Sequence, residues 1–262
     1  MPNLQTFLDE AVERFNRPDF IQNDPIGIPH RFSRLQDREI TGFWTAMLAW
    51  GQRVTIIKNA ERLIDWMDGA PYDFITGHSE PERARFERFA HRTFQGMDAL
   101  YFLDYFQRFY SQHDSLETAF TRHLQSGDDT VEKALVGFHR DFFDHPHAPD
   151  RTRKHVATPA RGSTCKRLNM FLRWMVRRDE AGVDFGLWQG VRPDQLLMPL
   201  DVHVDRIARR LGLLARKQTD WQAVLELTGR LRAFSPEDPV RYDFALFGIG
   251  VLAKTEGSGL FL

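Results

Sequence analysis

Apolar residues recur every three to four positions along nearly the whole of this chain, and almost nowhere do they alternate. In Val131–Phe142, the residues Val131, Ala134, Leu135, Phe138 and Phe142 fall on one stripe, and Leu116–Leu124 and Leu100–Tyr110 follow the same period. A 3.6-residue period without two-residue alternation predicts an all-α fold. Turn chemistry interrupts it at Asn23-Asp-Pro, Gly69-Ala-Pro, Gly77 to Pro81, Ser126-Gly-Asp-Asp, His145 to Pro149 and Ser235 to Pro239. About ten helices joined by short loops are expected. No internal repeat or low-complexity linker divides residues 1–262, so a single domain with two helical lobes is the simplest arrangement.

With 262 residues, 42% of them hydrophobic and 27% charged, the chain can bury a sizeable core and is neither disordered nor membrane-embedded in composition. Cys165 is the only cysteine, which excludes an internal disulfide and any cluster held by four cysteines. The first fifteen residues mix charged with apolar positions and lack the layout of a secretory leader. A cytoplasmic protein with no membrane partner is expected.

The net charge of −1 gives no sign of a polyanionic partner, but its distribution does. Between Arg151 and Arg178 stand nine Lys/Arg residues and no Asp or Glu. Uncompensated, so many like charges would repel one another. Such a window is either a solvated helix face or a nucleic-acid footprint that gains affinity by releasing counterions. Within it, Gly162-Ser-Thr-Cys-Lys166-Arg-Leu-Asn169 sets a glycine turn before an amphipathic helix. The free N–H groups and positive dipole end of that helix favour a phosphate oxygen. Lys166 in the first turn is electrostatically disfavoured there unless it has work to do.

This run resembles the glycine-x-glycine-x-lysine hairpin of endonuclease III-like, helix-hairpin-helix DNA glycosylases, with Gly162, Lys166 and Asn169 in register and Thr164 at the second glycine. Pro199-Leu-Asp201-Val-His203-Val-Asp-Arg206-Ile-Ala-Arg209 resembles the segment that carries their catalytic aspartate, with Val202 in place of a threonine. On its own, Asp201 reads as a helix N-cap, and Asp205 with Arg209 as an i,i+4 pair. Met47 to Ala60 resembles the segment whose glutamine enters the space left by an extruded nucleotide, a part that falls to Gln52. The tail from Ser235 to Gly250 is similar to the last helix of that superfamily. The chain as a whole also resembles an uncharacterised bacterial family distantly similar to these glycosylases. The Lys166-to-Asp201 interval is similar to that of archaeal 8-oxoguanine glycosylases.

The resemblance implies two helical lobes around a central cleft, with residues 151–213 as hairpin and catalytic segment. It implies a base-excision glycosylase, with or without AP lyase chemistry, acting as a monomer on double-stranded DNA with a flipped damaged base, an oxidised purine for example. Lys166 would attack C1′ and Asp201 would stabilise charge on the sugar and assist proton transfer. Contacts to DNA would come from Gln52, Arg53, Arg161, Gly162, Ser163, Thr164, Arg167, His203 and Arg206. Trp50 and Trp174 are candidates for the base pocket, against the alternative that both pack in the core. No cofactor is expected, since the cluster cysteines of many relatives are missing. A free lysine is neutral in only about one molecule in 2,500 at pH 7. Arg161, Arg167 and the helix dipole would lower its pKa, and Asp201 would oppose them.

Two other readings stand beside this one. The same fold could bind DNA without cutting it. Alternatively, His139, His145, His147, Asp150 and His155 around a Pro-rich turn could hold a metal, although their spacing fits no ligand motif; a polar surface loop explains them equally, and no metal is expected.

Overall fold

The computed structural model describes residues 3–255. It is mostly helical. The helices are α1 (Leu4–Phe15), α2 (Pro18–Gln22), α3 (Leu35–Leu48), α4 (Arg53–Trp66), α5 (Pro71–Gly77), α6 (Glu80–Arg83) and α7 (Gly96–Tyr110), followed by α8 (Glu117–Thr121), α9 (Glu132–Phe142), α10 (Lys166–Val176), α11 (Val202–Arg210), α12 (Trp221–Arg232) and α13 (Tyr242–Thr255). One antiparallel pair, β1 (Ala90–His91) and β2 (Phe94–Gln95), interrupts them in register Ala90 to Gln95. The turn signals fall between helices as their chemistry requires: α2 ends before Asp24, α5 opens on Pro71 and α13 follows the Ser235–Pro239 turn. The expectation of short loops fails twice, at 143–165 and 177–201. Both connections are stitched by short 3-10 turns and by buried polar bonds in place of helix.

The chain forms two compact units. Among the described residues the first takes 3–20, 126–132 and 158–255; the second takes 21–125 and 133–157.

In the second unit α3 is buried on every side from Glu39 to Leu48, and most of that stretch is apolar, as an enclosed helix requires. Phe43 and Trp44 meet Phe102 and Phe106 of α7, and Phe43 meets Phe138 and Phe142 of α9, at centroid separations of 5.3–6.4 Å. The one carboxylate in that helix's buried stretch, Glu39, accepts from Tyr110 Oη (2.9 Å), Ser115 Oγ (2.6 Å) and the Leu116 N–H (2.9 Å), so its burial leaves no acceptor stranded.

In the first unit α13 is the hub, packed by α1 on one side and α11 on another. Tyr242 donates its hydroxyl to Asp9 at 2.9 Å, and Phe20 stands edge-on to Phe244 and Phe247. The 126–132 segment is tied in by Gln195, whose side chain donates to the Asp128 carbonyl (2.8 Å) and whose carbonyl accepts from Val131 (3.0 Å). Among the described residues, no helix is long and apolar enough to cross a membrane.

Candidate functional site

The hairpin begins with a short turn, Pro159–Arg161, closed by Gly162 at φ 71°, ψ 9°. A Cβ added at Gly162 would meet nothing within 4 Å, so glycine is required for its left-handed backbone and not for space. Thr164, which stands where the similar hairpins have their second glycine, has no positive φ. The second left-handed residue is Cys165 (φ 49°, ψ 30°), the N-cap of α10. Thr164 therefore meets no backbone demand that only glycine could satisfy. The strain sits one residue later on a buried thiol, whose pKa burial pushes up to about 12, which makes it a poor nucleophile.

Three bonds fix this loop. Ser163 Oγ accepts from the Cys165 N–H (3.2 Å), Asn169 Nδ2 donates to the Thr164 carbonyl (3.1 Å), and the Trp221 N–H at the head of α12 donates to the Gly162 carbonyl (3.0 Å). Lys166 opens α10, half-buried. Arg161 and Gly162 are exposed, and Ser163 and Thr164 half-exposed. Burial pulls the Arg167 guanidinium down to about 10, which leaves it a cation at neutral pH.

Asp201 is the N-cap of α11. Its Oδ1 accepts from the His203 N–H (2.8 Å) and the Val204 N–H (3.0 Å), so both cap bonds fall on one oxygen of a half-buried carboxylate. Further along α11, Arg209 grips Asp205 with two bonds of 2.9 Å, the anticipated i,i+4 pair. Arg206 donates to the Gly250 carbonyl at 2.7 Å, and the His203 ring stands edge-on to Phe247 at 5.8 Å. Two of the proposed DNA contacts are thus turned toward α13. His203 also lies so close to Gly250 that a Cβ there would come within 3.0 Å of it.

Sequence reasoning missed Asp243, the second residue of α13. It is buried, and Arg173 of α10 donates to its Oδ2. Arg173 also reaches Asp184 Oδ1 through Nε at 3.2 Å and lies 4.4 Å over the Phe244 ring. Burial raises the Asp243 pKa to about 6; Arg173 opposes the rise, Asp201 adds to it and Lys166 opposes it again. The amine and the acid singled out in the sequence thus both act on one carboxylate. The only sequence signal for Asp243 was an acid amid the apolar run Tyr242–Leu246, in a segment read solely as a terminal helix.

The basic window is not uncompensated as its sequence implied: four of its nine cations are paired with acids. Arg151 reaches Gln95, Thr93 and Asp98, and Arg153 reaches Asp150. Arg173 pairs with Asp184 and Asp243, and Arg177 with Asp179, Asp184 and Asp238. Arg173 and Arg177 are 4% and 3% exposed, so neither can meet a phosphate. Its first residues also belong to the second unit and the remainder to the first.

In the second unit Gln52 is the exposed N-cap of α4, followed by Arg53 and by Val54, which is 79% exposed. Trp50, two residues earlier and half-buried, stacks on His155 (5.6 Å, 25°) and takes the His91 ring edge-on (4.9 Å). Asn59 Nδ2 lies 2.8 Å from His91 Nδ1 and the Trp50 carbonyl lies 3.3 Å from Nε2, which fits a neutral imidazole protonated at Nε2. Burial lowers the pKa of His91 in the same sense. Trp174 is fully enclosed in the first unit, so it packs in the core and is not placed to line a base pocket.

The histidines around the Pro-rich turn do not converge. His139 bonds the Val156 carbonyl (2.7 Å), His155 lies against Asp98 and Trp50, and His145 accepts from the His147 N–H (3.3 Å) with the two rings edge-on. Among the described residues no group of three His, Cys, Asp or Glu could hold a metal.

Fold and site together define a helical protein of two compact units, one of which carries a lysine and a capping aspartate about a common buried carboxylate. The chain belongs to the family described as "Protein of unknown function (DUF2400)", which it matches over residues 24–252. No curated protein and no solved structure matches it.

Proposed function

We propose that this protein is a DNA base-excision glycosylase with AP lyase chemistry, on a fold of the helix-hairpin-helix glycosylase kind. One observation carries the reading: Lys166 opens α10 directly after a glycine hairpin and Asp201 caps α11 through one oxygen, both half-buried, and α10 and α11 are each bonded to α13, through Arg173 and Arg206. An amine and a carboxylate presented at separate helix starts suit attack on a sugar carbon beside a bound phosphate.

The neutral Nζ of Lys166 bonds to C1′, and the C1′–N bond to the base breaks. The electron pair leaves with the base, which takes up a proton. Asp201 stabilises the positive charge on the sugar and takes a proton from the attached Nζ; the C1′–O4′ bond then opens, O4′ takes up that proton, and the protonated Schiff base that results loses a C2′ proton as the C3′–O bond breaks and the phosphate leaves. Arg161 with the Gly162–Thr164 backbone holds a phosphate. Duplexes carrying single damaged bases, oxidised purines first, test this by base release and strand nicking. Nicking by the unmodified protein and none by Lys166→Gln is the expected result. Equal DNA affinity for both proteins without release or nicking on any lesion would leave a DNA-binding protein without excision chemistry.

A further inference from the structure

Asp243 stands where two helices that carry reacting groups are joined. Lys166 and Arg173 lie seven residues apart on α10, two turns along one face. Arg173 binds Asp243 at the start of α13, and further along α13 the Gly250 carbonyl binds Arg206 of α11, the helix that Asp201 caps. We propose that Asp243 is a positioning residue of the Lys166/Asp201 site: from α13 it anchors α10 and holds the Lys166 amine by charge. The inference rests on the reading that Lys166 and Asp201 act together.

The groups that face Asp243 are Lys166 and Arg173 from α10, Asp184 from the connection after it, and Asp201 from the head of α11. Two cations and two further acids surround it, which makes Asp243 the third carboxylate of the cluster. Ionised, Asp243 favours the ammonium form of Lys166. Protonated, which its pKa of about 6 permits in mild acid, it releases that hold. Asparagine keeps an oxygen for Arg173 to bind but removes the charge.

The test is a side-chain NMR titration of isotopically labelled lysine in the free protein, with the Lys166 signal assigned by its loss in Lys166→Gln. The Lys166 midpoint is expected to fall by about one unit in Asp243→Asn, and to stay in place in Asp150→Asn, whose side chain is 98% exposed. In the unmodified protein the same signal should carry a second inflection where Asp243 titrates. An unchanged midpoint in folded Asp243→Asn overturns the proposal; if that variant does not fold, absence of the second inflection overturns it. No DNA enters the measurement. A Lys166 midpoint that does not respond to Asp243 therefore rejects the role of Asp243, while failure to excise any base rejects the glycosylase reading.

Discussion

Replacing Asp201 by Asn keeps an acceptor at the head of α11 and takes away the charge, whereas replacing it by Ala removes both. Since Oδ1 makes the two cap bonds, Asp201→Asn should leave thermal stability nearly unchanged and abolish nicking. Asp201→Ala should also lose about 1 kcal/mol of stability in denaturant unfolding. Comparable stability loss in both variants would mean that the carboxylate charge matters to the fold. Asp243 gives a second prediction at this scale. Its folded pKa of about 6 lies above the ordinary aspartate value, so its contribution to stability is full below about pH 3.8 and is lost as pH rises through 6. The stability of the unmodified protein relative to Asp243→Asn should fall by on the order of 3 kcal/mol between those limits. A pH-independent difference would contradict the assigned burial.

At the scale of elements, the hairpin was legible where the residue type itself carries the constraint. Gly162 needs φ 71° and is glycine. Gly162→Ala, with open space at Cβ, should cost about 1 kcal/mol through backbone conformation alone. Thr164 looked like a defect because the similar hairpins have glycine there, yet the left-handed turn falls on Cys165. Thr164→Gly should therefore destabilise by about 0.5–1 kcal/mol instead of restoring anything, as differential scanning calorimetry can measure. Helix periods exposed α7 and α9, and capping chemistry exposed α11. Asp243 escaped because its role comes from what faces it across three helices. No spacing along one helix encodes that.

At the scale of the molecule, local charge counting misled. Nine cations without an acid in sequence become a set in which Arg151, Arg153, Arg173 and Arg177 are matched by acids from distant parts of the chain, or close beside the window's end. Ion pairs made by folding are invisible to a window of sequence. If DNA binds, the dependence of log Kd on log salt should correspond to no more than about five phosphate contacts, a slope of magnitude below about 4.5. Arg161→Gln should flatten that slope by about one, while Arg177→Gln should lower stability and leave the slope of the folded protein alone. A slope near that of nine contacts would contradict the pairing.

The central claim is that the Lys166 amine reaches a nucleotide sugar. Borohydride reduction of a reacting mixture of protein and damaged duplex, followed by peptide mapping of the adduct, tests it most directly. A covalent adduct on the peptide containing Lys166, absent in Lys166→Gln, is the predicted result. An adduct at another lysine, or none on any lesion offered, would contradict it.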